Sequence, residues 1–221
     1  MIPLTPPADR SQGAPRLAIP PLLTPLPIES LHEANDYALL WMIEMARLPG
    51  VALPAFAFAQ QLRTHLLPLS TAARQRAAHY PYLLAGLRFG DVRWWREDRN
   101  RPRRLRKPIA ARDGQYRQAS RALARTALGV AWHVARSDVH IARVVLGMSR
   151  GVADVIRSLS LNDLHRVAEH QWITLLPRWS DRPVLWQRML YAARCDRIAD
   201  ARECLVHGLQ VTGAELTAAA Y

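Results

Sequence analysis

The side chains that could do chemistry fall into two groups, a few scattered cysteines and histidines and one dense run of arginine. Cys204 and His207 are three apart, a spacing that puts a thiol beside a base on one helix face. A working pair also needs an orienting third group and an open pocket, so the spacing alone motivates no catalysis. His165 and His170 are five apart and fall on different helix faces, whereas His133 and His140 are seven apart and share one. No Cys, Asp or Glu stands in ligand register with both members of that second pair. Phosphate loops, dinucleotide-binding glycines, paired-histidine zinc motifs and nucleophile elbows are all absent. The expectation is a protein that is not an enzyme and takes no cofactor and no metal.

Cys195 and Cys204 are the two cysteines. On one helix they would stand about 13 Å apart, beyond the roughly 7 Å between Cα atoms that a disulfide tolerates. Free buried thiols in a reducing cytoplasm are expected.

The arginines are concentrated. Residues 88–112 carry ten basic and three acidic side chains, a net of +7 within a chain of +12. Arg99, Arg101, Arg103, Arg104, Arg106 and Lys107 put six cations into nine positions with no acid. Cations at that density are the footprint expected for phosphate contacts. Lys107 is the only lysine among thirty basic residues. Arginine bias of that kind also follows from base composition, so placement carries more weight than the high overall charge.

These residues need elements to position them. Residues 1–28 hold eight of the sixteen prolines and read as a polyproline-like tail. Its start lacks a basic stretch followed by an apolar one, so no secretory leader is expected. The apolar runs 17–28 and 51–62 are broken by proline or too short to span a bilayer, so no membrane partner is expected. Ser30 and Glu33 have the spacing of a capping box. Leu31, Ala34, Ala38, Trp41 or Met42, and Met45 continue it at helical period up to Pro49-Gly50. Pro54 opens a helix expected to run on through Leu66 or Leu67, and Ser70 caps another over 71–79. Pro81 then breaks the chain. Trp94 and Trp95 are expected to pack inward.

The pattern predicts an all-α fold. A small helical N-terminal domain covers 29–96, a basic linker 97–113, and a C-terminal helical domain 114–221. In the last, a long helix over 114–136 aligns Tyr116, Ala119, Leu123, Ala127, Val130 and Val134 on one face. Arg117, Arg121 and Arg125 repeat every four residues on another. Three short helices follow, at 139–146, 150–159 and 161–169, with Asp138, Ser149 and Ser160 as caps and Gly147 as a stop. Residues 172–179 read as short and extended. Ser180-Asp181 with Pro183 is expected to open a helix to Arg194. A final helix from about 196 to 210 is expected to bury Ile198, Ala201, Leu205 and Leu209. Three short helices in tight, capped succession have the form of a helix-turn-helix module.

Residues 128–180 also resemble one known family. Leu128, Ala131, Asp138, Ala142, Leu146-Gly147, Val152-Ala153, Ile156, Leu159-Ser160-Leu161, Leu164, Ala168-Glu169 and Arg178 stand, without a gap, in the order and spacing of the flagellar master-regulator subunit FlhD. The resemblance implies a cytoplasmic, all-helical transcriptional activator that works on DNA as a homodimer. It also implies a zinc-binding partner subunit, FlhC, and recruitment of RNA polymerase at flagellar or mobile-element promoters. Residues 1–113 have no counterpart there. No cysteine lies between Gly147 and Ser180, so no disulfide links a dimer through this segment. The chain also lacks the four-cysteine set of the zinc-binding partner.

On this reading Leu128, Ala131, Val134, Ala142 and Leu146 form a dimer or partner interface, or the core beneath it, with Ile156, Leu159, Leu161 and Leu164. Arg150, Arg157 and Arg166 are the exposed cations of the helix-turn-helix-like region, facing phosphates or guanine edges. Residues 99–107 are a basic arm. Two rival readings stay open: a helical adaptor whose basic linker is incidental, and an arginine-rich RNA-binding protein.

Overall fold

The computed structural model describes residues 28–48, 53–101 and 113–218. Helix carries 76% of them and the one sheet has two strands, so the fold is all-α. Helix α1 (Ile28–Arg47) runs for twenty residues and buries a broad face from Leu31 to Ala46. It begins at Ile28, so Ser30 lies inside the first turn and does not cap it; Pro49-Gly50 lies outside the described residues. Pro54 opens α2 (Pro54–Gln61) at the position where proline costs nothing, because the first N–H of a helix has no partner to lose. The chain breaks step at Leu62 and continues as α3 (Arg63–Leu66), so the expected single helix is two. Ser70 caps α4 (Thr71–Ala78), its hydroxyl accepting from Ala73 N–H at 3.2 Å. Helix α5 (Val92–Glu97) follows, capped by Asp91.

Helix α6 (Asp113–Ser137) is the long central rod. The expected face is the buried one: Leu123, Ala127 and Val134 have no exposure at all. The three short helices then appear as α7 (Val139–Leu146), α8 (Arg150–Ser158) and α9 (Leu161–Gln171). Asp138 accepts from His140 and Ile141 N–H, Ser149 from Val152 N–H, and Ser160 closes a full capping box with Asp163. Gly147 ends α7 at φ +63°, the left-handed conformation that glycine adopts without penalty. Residues 172–177 form a 3-10 turn, Trp172–Thr174, and a two-residue strand β2 (Leu176–Pro177). Helices α10 (Pro183–Arg194) and α11 (Ile198–Ala218) complete the chain. Arg182, not Ser180 or Asp181, occupies the cap of α10, and no side chain bonds to its first turn.

One core joins what the sequence divides. Helix α1 packs on α6, and α10 packs on both α4 and α11. Strand β1 (Ala85–Gly86) pairs antiparallel with β2, Ala85 opposite Pro177. Buried side chains from α1 through α11 form a single cluster. The expected domains 29–96 and 114–221 therefore share their interior, because each half alone would leave an apolar face open. Helix α11 differs most from expectation. It buries Cys204, Gly208, Val211 and Thr212, while Ile198 is 66% exposed and Leu209 36%. The reason lies far away in the chain. Tyr82 presses on α11 at Gly208, where a Cβ would lie 2.8 Å from the phenol oxygen.

Candidate nucleic-acid interface

The basic stretch is rooted in α5. Trp94 and Trp95 fill its inner face at 3% and 0% exposure, and the Trp95 indole donates to the Leu87 and Arg88 carbonyls. Arg93 and Arg96 lie on the exposed side. Arg99 turns back, its Nη1 donating to the Trp95 carbonyl at 2.6 Å and the Arg96 carbonyl at 3.2 Å. It thus serves the carbonyls that a helix end leaves unpaired. Arg101 pairs with Asp98 at 2.9 Å.

The turn that follows is gripped from α9. Gln171, fully buried, donates from Nε2 to the carbonyls of Asp98, Arg99 and Arg101 at 3.3, 2.9 and 2.6 Å. Its Oε1 is buried with no partner among the described residues. Residues 102–112 lie outside the described residues, and with them Arg103, Arg104, Arg106 and Lys107. The chain returns at Asp113, and Tyr116 stacks edge-on against Trp172 at 5.8 Å. Both ends of the basic stretch are therefore held at one corner, around Gln171 and Trp172. Arg121 and Arg125 reach the same corner and share one carboxylate, Glu169, at 3.3 and 3.0 Å. Two guanidiniums on one carboxylate leave a net positive charge there.

Helix α8 meets the other end of α5. Ser149 N–H donates to the Phe89 carbonyl at 3.0 Å, and a Cβ on Gly151 would lie 2.6 Å from Val92. Arg150 is thus placed beside the start of α5, while Arg99 and Arg101 stand at its finish. Six helical residues span about 9 Å. Arg150 is exposed and has no acidic partner among the described residues. Arg157 and Arg166 are exposed too, but each has an acidic neighbour. Arg157 pairs with Asp154 at 3.2 Å and Arg166 pairs with Asp163, each acid one turn earlier on the same helix. Hydrogen bonds from the Ser160 hydroxyl and backbone hold the Asp163 carboxyl below its usual value, and Arg166 adds to that.

The residues expected at a dimer interface are internal. Leu128, Ala131, Val134 and Ala142 have no exposure, and Leu146 has 2%. They fill the seam between α6 and the α7–α9 group, because small Ala131 and Ala142 let the helices approach closely. Ile156, Leu159 and Leu164 join them, but Leu161, the first residue of α9, is 68% exposed. Gln171 and Glu169 carry no sequence signal for their roles, since their partners are distant in the chain.

Elsewhere Cys195 is exposed and Cys204 buried, both free. Burial pushes the Cys204 thiol above its usual value, against a smaller opposing effect of the Tyr80 hydroxyl. A thiol so held stays protonated, which is opposite to what a nucleophile needs. Among the described residues no group of three His, Cys, Asp or Glu is placed to hold a metal, and no helix is long and apolar enough to cross a membrane. No family model, no curated protein and no solved structure matches the chain.

Proposed function

We propose that this chain is a non-enzymatic, DNA-binding transcription regulator of FlhD type. It acts as a dimer or with a zinc-binding partner subunit of FlhC type, and it works with RNA polymerase. The supporting observation is the placement of charge. Residues 102–112 carry five cations and no acid, and the chain enters and leaves them at one corner of a folded body. Arg150 lies about one short helix away from that corner. Cations so grouped engage phosphates along one stretch of duplex. The α7–α8–α9 succession, with its acid, serine and glycine boundaries, supports the helix-turn-helix component. Because Leu128, Ala131, Val134, Ala142 and Leu146 face inward, a second subunit would meet exposed apolar residues instead, such as Val144 and Leu161.

The test is a salt titration of duplex DNA, single-stranded DNA and RNA binding by the whole chain, with and without a partner subunit. Replacing Arg101, Arg103, Arg104 and Arg106 with Ala should weaken duplex binding. It should also flatten the slope of log affinity against log salt by up to about 3.6 units, at roughly 0.9 per lost phosphate contact. Helicity should not change. No binding at low salt, or an unaltered slope, would overturn the reading in favour of an adaptor. Preference for RNA over duplex would replace DNA with RNA as the partner.

A further inference from the structure

A buried cation with no counter-ion among the described residues lies below the α7–α8 turn. Arg178 follows β2, and its backbone is fixed on both sides. Its N–H donates to the Leu84 carbonyl at 2.8 Å, and its carbonyl accepts from the Trp186 indole at 2.7 Å. The guanidinium runs inward at 9% exposure. Nη1 donates to the Val145 carbonyl at 2.9 Å and Nη2 to the Thr212 hydroxyl at 2.7 Å, while the Trp179 ring covers it at 4.5 Å. Its remaining N–H groups, Nε–H among them, find no acceptor among the described residues. Gly147 makes room for it, since any Cβ there would overlap the guanidinium. Burial draws the pKa down to about 10, so the group stays charged at neutral pH.

No carboxylate of the described residues stands within 4.0 Å of this charge. A buried guanidinium normally carries one, because a lone charge away from water is expensive. Here it lines a cavity of about 280 Å³, with Phe89, Leu146 and Leu216 as apolar walls and Glu215 of α11 at the exposed side. Glu215 is close enough for its charge to favour the guanidinium's protonated form, yet too far to pair with it. A cation and an anion thus face one small cavity without meeting. A plain anion would be attracted by Arg178 and repelled by Glu215. A molecule with both charges a short distance apart satisfies each, and its apolar part meets the walls. The volume suits a ligand of a few heavy atoms only.

We propose that this cavity is a binding site for a small zwitterion, an α-amino acid with an apolar side chain. Arg178 receives its carboxylate and Glu215 its ammonium. The site is independent of nucleic-acid binding. It would tie the α7–α8 turn to α11, since both line it.

The test uses the full chain without nucleic acid. Thermal shift and calorimetry are run with the common free amino acids, with the des-amino carboxylate and the decarboxylated amine of each apolar one, and with inorganic phosphate. At least one apolar amino acid should bind and raise the melting temperature at millimolar concentration. Its two one-charge analogues should bind about tenfold more weakly or worse. Glu215→Gln replaces an exposed residue, so it should fold normally and lose the preference for the amino acid over the des-amino carboxylate. Three results would overturn the assignment: no amino acid binds, phosphate or the des-amino carboxylate binds as tightly, or E215Q keeps the full preference.

Discussion

Two buried amides clamp two turns of this protein, and they do so unequally. Asn35 of α1 donates from Nδ2 to the carbonyls of Ala78, Tyr80 and Tyr82 at 3.1, 3.3 and 3.0 Å, and its Oδ1 accepts from Leu84 N–H at 2.8 Å. Both ends of the amide are used. The segment it holds is interior, for Tyr82, Leu83 and Leu84 have no exposure. Gln171 of α9 also serves three carbonyls, at the root of the basic stretch, but its oxygen meets no partner among the described residues. Buried polar atoms are nearly always paired, and an exception is a local cost that the rest of the fold carries. The satisfied clamp sits where α1 meets the chain that leads into β1. The unsatisfied one sits where nucleic-acid contact is proposed.

The largest effect should come from breaking the first clamp. Asn35→Ala strands three buried carbonyls and one buried N–H at once. At about 1–3 kcal/mol for each unsatisfied group, partly relieved by entering water, a loss of about 3 kcal/mol is expected from denaturant unfolding. Gln171→Leu, of similar volume, should cost only about 1–2 kcal/mol. Its carbonyls belong to a turn whose Asn100 and Arg101 are exposed and can be rehydrated, and the substitution removes the orphaned oxygen as well. Amide exchange over residues 98–101 should speed up in that variant, while the Leu84 amide stays protected. Equal losses at the two positions would erase the distinction between the joints.

The same inequality separates what was legible in the sequence from what was not. Helix starts at Ser70, Asp138, Ser149 and Ser160, and the stop at Gly147, are local: a side chain bonds within three residues, so the spelling suffices. The inward face of α6 was readable because its apolar residues keep one period from Tyr116 to Val134. The burial of α11 was not. Its apolar residues lie all round, and Tyr82, more than a hundred residues away, selects Gly208. Cations of the candidate interface were legible as a group, but their partners were only partly so. Asp154 and Asp163 stand three residues before Arg157 and Arg166, a spacing open to inspection. Glu169 and Gln171 reach residues 44 or more positions away, and no local rule finds them. Neither clamp could be read for the same reason, since an amide announces nothing about which carbonyls it will meet.

The smallest expected effect is a pH dependence at the first joint. His32 lies on α1 one turn before Asn35, and its ring meets that of His79, beside Ala78, at 4.3 Å. Partial burial, and after it the charge of His79, draw the His32 pKa below its usual 6.5. The folded state therefore takes up a proton less readily than the unfolded one. By linkage the unfolded state gains protons first as the pH falls, so stability is complete above about 6.5 and declines below it. Melting temperature measured from pH 8 to pH 5 should fall on the acid side, and His32→Gln should make that fall shallower. At one acid pH, exchange of the Leu84 amide should be faster in the parent protein than in H32Q, while residues 98–101 exchange alike in both. A parent and a variant with the same acid slope would show that the histidine pair does not govern the Asn35 joint.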